Sequence, residues 1–196
     1  QKIEELKTKY NLHNKKIILT LGRLVERKGH DKVIQSLPKV LEKISNCVYI
    51  IVGHGPYYKY LRELVDGLSL QDKVLFFNDL LDSELPSFYH LADVFIMPSR
   101  QLDDGDIEGF GIVYLEANSF GKPTIAGRVG GAVEAVEHNV NGLLVDPHST
   151  NEISQAIISL LENEKKAKEL GERGKLRVVK QFNWLEQAKK IIQILS

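Results

Sequence analysis

The chain has 196 residues, 26 lysines and arginines against 26 aspartates and glutamates, and 43% hydrophobic residues. That length supports one well-buried core without demanding a second, and the composition excludes a disordered polymer. Charge balance speaks against a nucleic-acid-binding protein, whose footprint is a basic excess, and no apolar run approaches the roughly 20 residues of a membrane span.

Residues 1–15 read as a helix tail or linker from a preceding amino-terminal domain, with no signal-peptide pattern. Residues 16–196 read as one domain. Short apolar runs at 16–22, 47–53, 74–77, 93–98, 123–127 and 142–146 lack period-two alternation, as strands buried on both faces do. Helical patterns fall between them at 30–43, 57–68, 83–91, 111–120 and 132–138. After the capping-box sequence STNE, helices are expected at 151–163, 164–182 and 184–195. This alternation predicts an α/β fold: a Rossmann-like, doubly wound parallel sheet with right-handed crossovers. The single cysteine, Cys47, is expected as a small buried strand residue with no internal disulfide, in loose agreement with an intracellular setting.

Such a sheet binds ligands at the carboxyl ends of its strands. After the first strand, GRLVERKGH places Gly22 at a tight turn, Arg23 at the strand end and Lys28 just before the next helix. Two cations there, with the helix dipole, suit a phosphate or diphosphate; an ordinary solvated loop is the competing account, since Glu26 and Arg27 share it. After the second strand, GHGPYY has Tyr58 where a dinucleotide fingerprint needs its third glycine, which disfavours a nicotinamide or flavin enzyme.

The fourth strand runs into PSRQLDDGDIEGFGIVYLEA. Asp103, Asp104, Asp106 and Glu108 lack the order of a calcium loop, so a solvated acidic loop is expected rather than a metal site. The glycines of EGFG open a helix whose free amides can face an anion. Glu116 lies between Leu115 and Ala117, in a run where a packed residue is expected. A buried carboxylate costs several kcal/mol unless paired, so Glu116 is expected to meet either a ligand or a structural partner. Eight residues of helix would set it about 12 Å from Glu108. Next comes the glycine pair Gly130 and Gly131, before a short helix with Glu134; glycines there permit close backbone approach to a ligand or another strand, while the segment NGLLVDP is read as structural. The six histidines show no metal-ligand spacing, and no Gly-x-Ser-x-Gly motif is present.

Taken in order, GRLVERKG, IVGHGP, LADVFIMPS, EGFGIVYLEANSFGKPTIAGRVGGAVEAV and NGLLVDP resemble the carboxyl-terminal half of a retaining glycosyltransferase of family four, with the GT-B fold. The resemblance implies a domain that binds a UDP-sugar or GDP-sugar, with no cofactor and no metal. It implies Arg23 and Lys28 on the diphosphate, Glu108 on the donor sugar hydroxyls, and Glu116 on the ribose diol. Glu108, Arg23 and Lys28 would be the catalytic groups, with Gly22 and the amides of Phe110, Gly111, Ile112 and Val113 near sugar and phosphates. The base would sit by Asn78 to Leu80, where Asn78 departs from the family's usual glycine; Val133 replaces a frequent proline. The implied reaction moves a hexose, mannose being one candidate, to a glycan or lipid-linked acceptor held by the amino-terminal domain. It also implies a cytoplasmic location, peripheral association of the whole protein with the membrane being compatible with it. A sugar-nucleotide epimerase of the same architecture and a non-catalytic nucleotide-binding module are the alternatives.

Overall fold

A computed structural model describes residues 2–182; the helix expected at 184–195 lies outside them. Six strands form one parallel sheet in the order β3-β2-β1-β4-β5-β6: β1 (Lys16–Leu21), β2 (Cys47–Val52), β3 (Val74–Phe77), β4 (Val94–Met97), β5 (Thr124–Gly127) and β6 (Gly142–Val145). β1 pairs with β2 from Lys16↔Cys47 to Leu21↔Val52 and with β4 at Ile18↔Val94. The order reverses between β1 and β4, so their carboxyl ends flank the crevice at which doubly wound sheets receive ligands.

The unbroken apolar runs follow from burial on both faces. Ile18, Tyr49 and Ile51 face a core with α2 (His30–Lys43), α3 (Tyr58–Gly67) and α7 (Thr150–Glu162). Their neighbours Leu19, Ile50 and Phe95 face a second core with α4 (Leu85–Leu91), α5 (Ile112–Ser119) and α6 (Ala132–Ala135). Cys47 is buried in β2, as expected. α8 (Glu164–Gln181) packs back along α5.

Residues preceding β1 also fold onto the domain. α1 (Lys2–Lys9) packs against α4, Leu12 is buried, and Tyr10 meets Phe77 edge-on with ring centroids 4.8 Å apart. The expected capping box at α7 is only half formed. Ser149 Oγ accepts from the Glu152 amide at 3.1 Å, while the Glu152 carboxylate accepts from the Asp146 amide at 2.9 Å. Among the described residues no helix is long and apolar enough to cross a membrane.

Candidate functional site

The loop leaving β1 carries a short 3-10 turn, Glu26–Lys28, closed by Gly29. Gly29 has φ +76°, and a Cβ there would lie 2.3 Å from the Pro98 carbonyl oxygen, so glycine lets this turn rest on the end of β4. Opposite, the loop leaving β4 brings Glu108 inward. Glu108 is 7% exposed. Its Oε2 accepts from Arg27 Nη1 at 2.8 Å, from Lys28 Nζ, and from Ser99 Oγ at 3.5 Å. Burial pushes the Glu108 carboxyl up, but the bonds and charges of Lys28 and Arg27 outweigh it and hold the group below the usual glutamate range. Glu108 is therefore ionised at neutral pH.

The glycine pair fixes this loop from behind. The Gly131 amide donates to the Glu108 carbonyl at 3.0 Å, and a Cβ on Gly131 would fall 1.8 Å from the Gly109 carbonyl oxygen. The close backbone approach expected of Gly130 and Gly131 is made to a loop, at the Glu108 and Gly109 carbonyls, rather than to another strand. Behind the 3-10 turn, Arg100 forks onto Asp31 at 2.8 and 3.1 Å and reaches Glu26 at 3.2 Å. Burial works against the Arg100 charge, yet Asp31 and Glu26 outweigh it. This pair ties the end of β4 to the start of α2.

Two expectations about the glutamates are corrected. Glu116 is exposed rather than buried. α5 begins at Ile112, so Glu108 precedes the helix and helical rise does not set its distance from Glu116. On α5 the buried positions are Tyr114, Ala117 and Asn118, a helical stripe that leaves Glu116 on the opposite side. Its partner is Tyr89, whose hydroxyl donates to Glu116 Oε2 at 2.6 Å. Burial, then that carboxylate, push the Tyr89 pKa up, so the phenol stays a donor. Tyr89 is itself held against Phe120, stacked at 5.2 Å and 11°. On the far side of α5, Asn141 Nδ2 donates a hydrogen bond to Asn118 Oδ1 at 2.7 Å.

Gly22, Arg23, Asn78 and Leu80 come together around one cleft of about 320 Å³, with Gly53 and His54 on its wall. Arg23 is exposed and makes no ion pair among the described residues, so its guanidinium is open to an anion. Asn78 Oδ1 is buried without a hydrogen-bond partner among the described residues, and a ligand donor would satisfy it. Lys28, by contrast, is buried on Glu108. Phe110, Gly111, Ile112 and Val113 form the entry to α5, where the first amides of a helix lack intrahelical acceptors. Arg27, Ser99, Arg100 and Tyr89 were not singled out from the sequence. Only the position of Arg27 beside Lys28 offered a signal.

A larger cavity, about 590 Å³, opens between α2, Tyr57, Tyr60 and the acidic loop, away from Glu108 and Glu116. Among the described residues no group of three or more His, Cys, Asp or Glu side chains is arranged to hold a metal ion.

Comparison with known proteins matches residues 2–177 to the family described as glycosyl transferases group 1. Over 192 residues the chain is 40% identical to the GDP-mannose-dependent alpha-(1-6)-phosphatidylinositol monomannoside mannosyltransferase of Mycobacterium tuberculosis, covering 97% of this chain and 50% of that protein. The chain thus spans about half the length of the curated relatives it matches. Anabaena Alr3699/HepE, solved in complex with UDP-glucose, superposes with TM-score 0.86 at 26% identity, over 99% of this chain and 52% of that one. The carboxyl-terminal domain of a group 1 family protein (LpcC) from Francisella tularensis shares the fold, with TM-score 0.77 at 24% identity over 91% of this chain and 93% of that one.

Proposed function

This chain belongs to the glycosyl transferases group 1 family, and from that premise we propose that it is the donor-binding domain of a metal-independent, retaining family-four enzyme. The fold is a Rossmann-like half of the GT-B architecture. The whole protein moves a hexose from a nucleoside diphosphate sugar to a glycan or lipid-linked acceptor. The relative at 40% identity supports mannose, GDP and a glycolipid acceptor. The whole protein works in the cytoplasm, at the inner face of the membrane.

One observation carries this reading: the loops after β1 and β4 meet at the switch point of the sheet, where Arg27 and Lys28 close on Glu108 and Arg23 stands open. Breaking a glycosyl-phosphate bond puts positive charge on the sugar ring and negative charge on the departing diphosphate. Arg23 and the opening amides of α5 meet the negative charge, and Lys28 joins them by leaving Glu108. Glu108 offers a fixed carboxylate to the sugar hydroxyls, and Glu116, aimed by Tyr89, accepts the ribose diol. Asn78 and Leu80 border the space for the base.

The test is transfer by the full-length protein, with GDP-mannose and UDP-glucose supplied in EDTA beside a glycolipid acceptor. Product with the anomeric configuration of the donor is expected. Donor epimerised or hydrolysed without acceptor would replace transfer with the epimerase reading, and no turnover alongside tight nucleotide binding would favour a binding module. The chain of 196 residues alone is expected to bind donor and transfer little sugar.

A further inference from the structure

We propose that Arg27 is a positioning residue: it holds Glu108 ionised and aimed on its own, so that Lys28 can leave that carboxylate for an anionic ligand. The donor-free part of this inference stands on geometry alone; the transfer of Lys28 to a diphosphate rests on the reading above.

The two cations hold Glu108 in different ways. Arg27 is anchored twice to the loop after β4, through Nη1 to Glu108 Oε2 at 2.8 Å and through Nε to Asp106 Oδ2 at 3.0 Å. Its carbonyl also accepts from the Arg100 amide at 2.8 Å. A planar guanidinium gripped on two edges and by its backbone does not swing away without breaking several bonds at once. Lys28 makes a single-point contact to the same Oε2, at the end of a four-carbon stem. Of the pair, Lys28 is the mobile cation. Arg27 is the fixed one.

Were Lys28 the sole counter-charge, its departure would strand a buried carboxylate, which would then take up a proton and lose its capacity as a charged acceptor. Arg27 removes that conflict. Among the described residues, the groups facing Glu108 are Arg27 and Lys28 from the loop after β1, Ser99 from the end of β4, Asp106 from its own loop through Arg27, and Tyr114 from α5. Arg27 and Lys28 are the two cations among them. Among the described residues, the three hydrogen bonds to the Glu108 carboxylate all end on Oε2, which leaves Oε1 for a ligand hydroxyl.

The experiment follows the Glu108 side-chain carboxyl carbon by NMR from pH 3 to 8, assigned with Glu108→Gln, in the wild type, Lys28→Gln, Arg27→Gln and the double variant. Lys28→Gln is expected to leave Glu108 ionised at pH 7, whereas adding Arg27→Gln raises its midpoint well above that of Lys28→Gln. Equal midpoints in Lys28→Gln and the double variant overturn the proposal. Arg27→Lys, which keeps the charge but cannot fork two carboxylates, is expected to fall between wild type and Arg27→Gln; it also serves if Arg27→Gln misfolds. In a second arm GDP and GDP-mannose are titrated into wild type and Arg27→Gln. The variant is expected to lose about tenfold in GDP-mannose affinity and much less for GDP; equal losses for both overturn a positioning role. Failure of the wild type to bind either nucleotide counts against the donor reading alone, because the midpoints decide the role of Arg27 without ligand.

Discussion

His30 is the first residue of α2, fully buried, and neither ring nitrogen has a hydrogen-bond partner among the described residues. Burial pushes its pKa from 6.5 down to about 3; Asp31 opposes this, and Lys28 and Arg100 reinforce it. The imidazole is therefore neutral in the fold and takes a proton in the unfolded chain below about pH 6.5. Between those two values the unfolded state binds one proton more, so stability falls as pH falls, by about 1.4 kcal/mol per unit. At pH 5 the loss attributable to this residue is about 2 kcal/mol relative to pH 8, and above about pH 6.5 it vanishes. Replacing His30 with Leu deletes the titrating group and two unpartnered polar atoms. Urea-unfolding free energies of both proteins, measured at pH 8, 6 and 5, isolate the effect as a difference of differences. The leucine variant is expected to gain about 2 kcal/mol on the wild type between pH 8 and pH 5. Parallel pH profiles would refute the reasoning, since a histidine that accepts its proton inside the fold costs nothing in acid.

Three further substitutions probe how the crevice is held. Arg100→Met leaves Asp31 buried without its cation and is expected to cost about 3 to 5 kcal/mol in denaturant unfolding, with Asp31→Asn in the same background recovering part of it. Gly131→Ala puts a methyl group 1.8 Å from the Gly109 carbonyl oxygen, so the loop bearing Glu108 must move; a stability loss of at least about 2 kcal/mol and a weaker sugar-nucleotide affinity are expected together. Tyr89→Phe keeps the stacking on Phe120 but removes the donor to Glu116 Oε2, and calorimetry should show nucleotide affinity falling several-fold with stability changed by about 1 kcal/mol or less.

Strand positions were legible because burial on both faces writes itself into sequence as unbroken apolar runs, as CVYIIV in β2 does. The loops were legible for a related reason: in a doubly wound sheet the residues after each strand share one edge, so Arg23, Asn78 and Leu80 meet although far apart in the chain. Glu116 was misread because a run of apolar letters does not say which side of a helix each one faces. Each step turns the side chain by about 100°, and the spacing of Tyr114, Ala117 and Asn118 turns residue 116 outward. The pairings that shape the site were hidden for a different reason. Arg27 and Glu108 are 81 positions apart, and Arg100 and Asp31 are 69 apart. No local pattern links them, and in isolation each reads as a surface charge. Tyr89 likewise looks like one more aromatic in a packed helix until its hydroxyl is seen on Glu116.

The central claim is that this domain grips a nucleoside diphosphate through Arg23 and Glu116. Calorimetric titration of the chain with GDP, UDP and NAD in EDTA tests it most directly, repeated on Arg23→Ala and Glu116→Ala. One diphosphate is expected to bind while NAD does not, and each substitution should weaken it by about 1.5 to 3 kcal/mol, roughly tenfold or more. Binding that survives both substitutions unchanged, or a preference for NAD, would contradict the account.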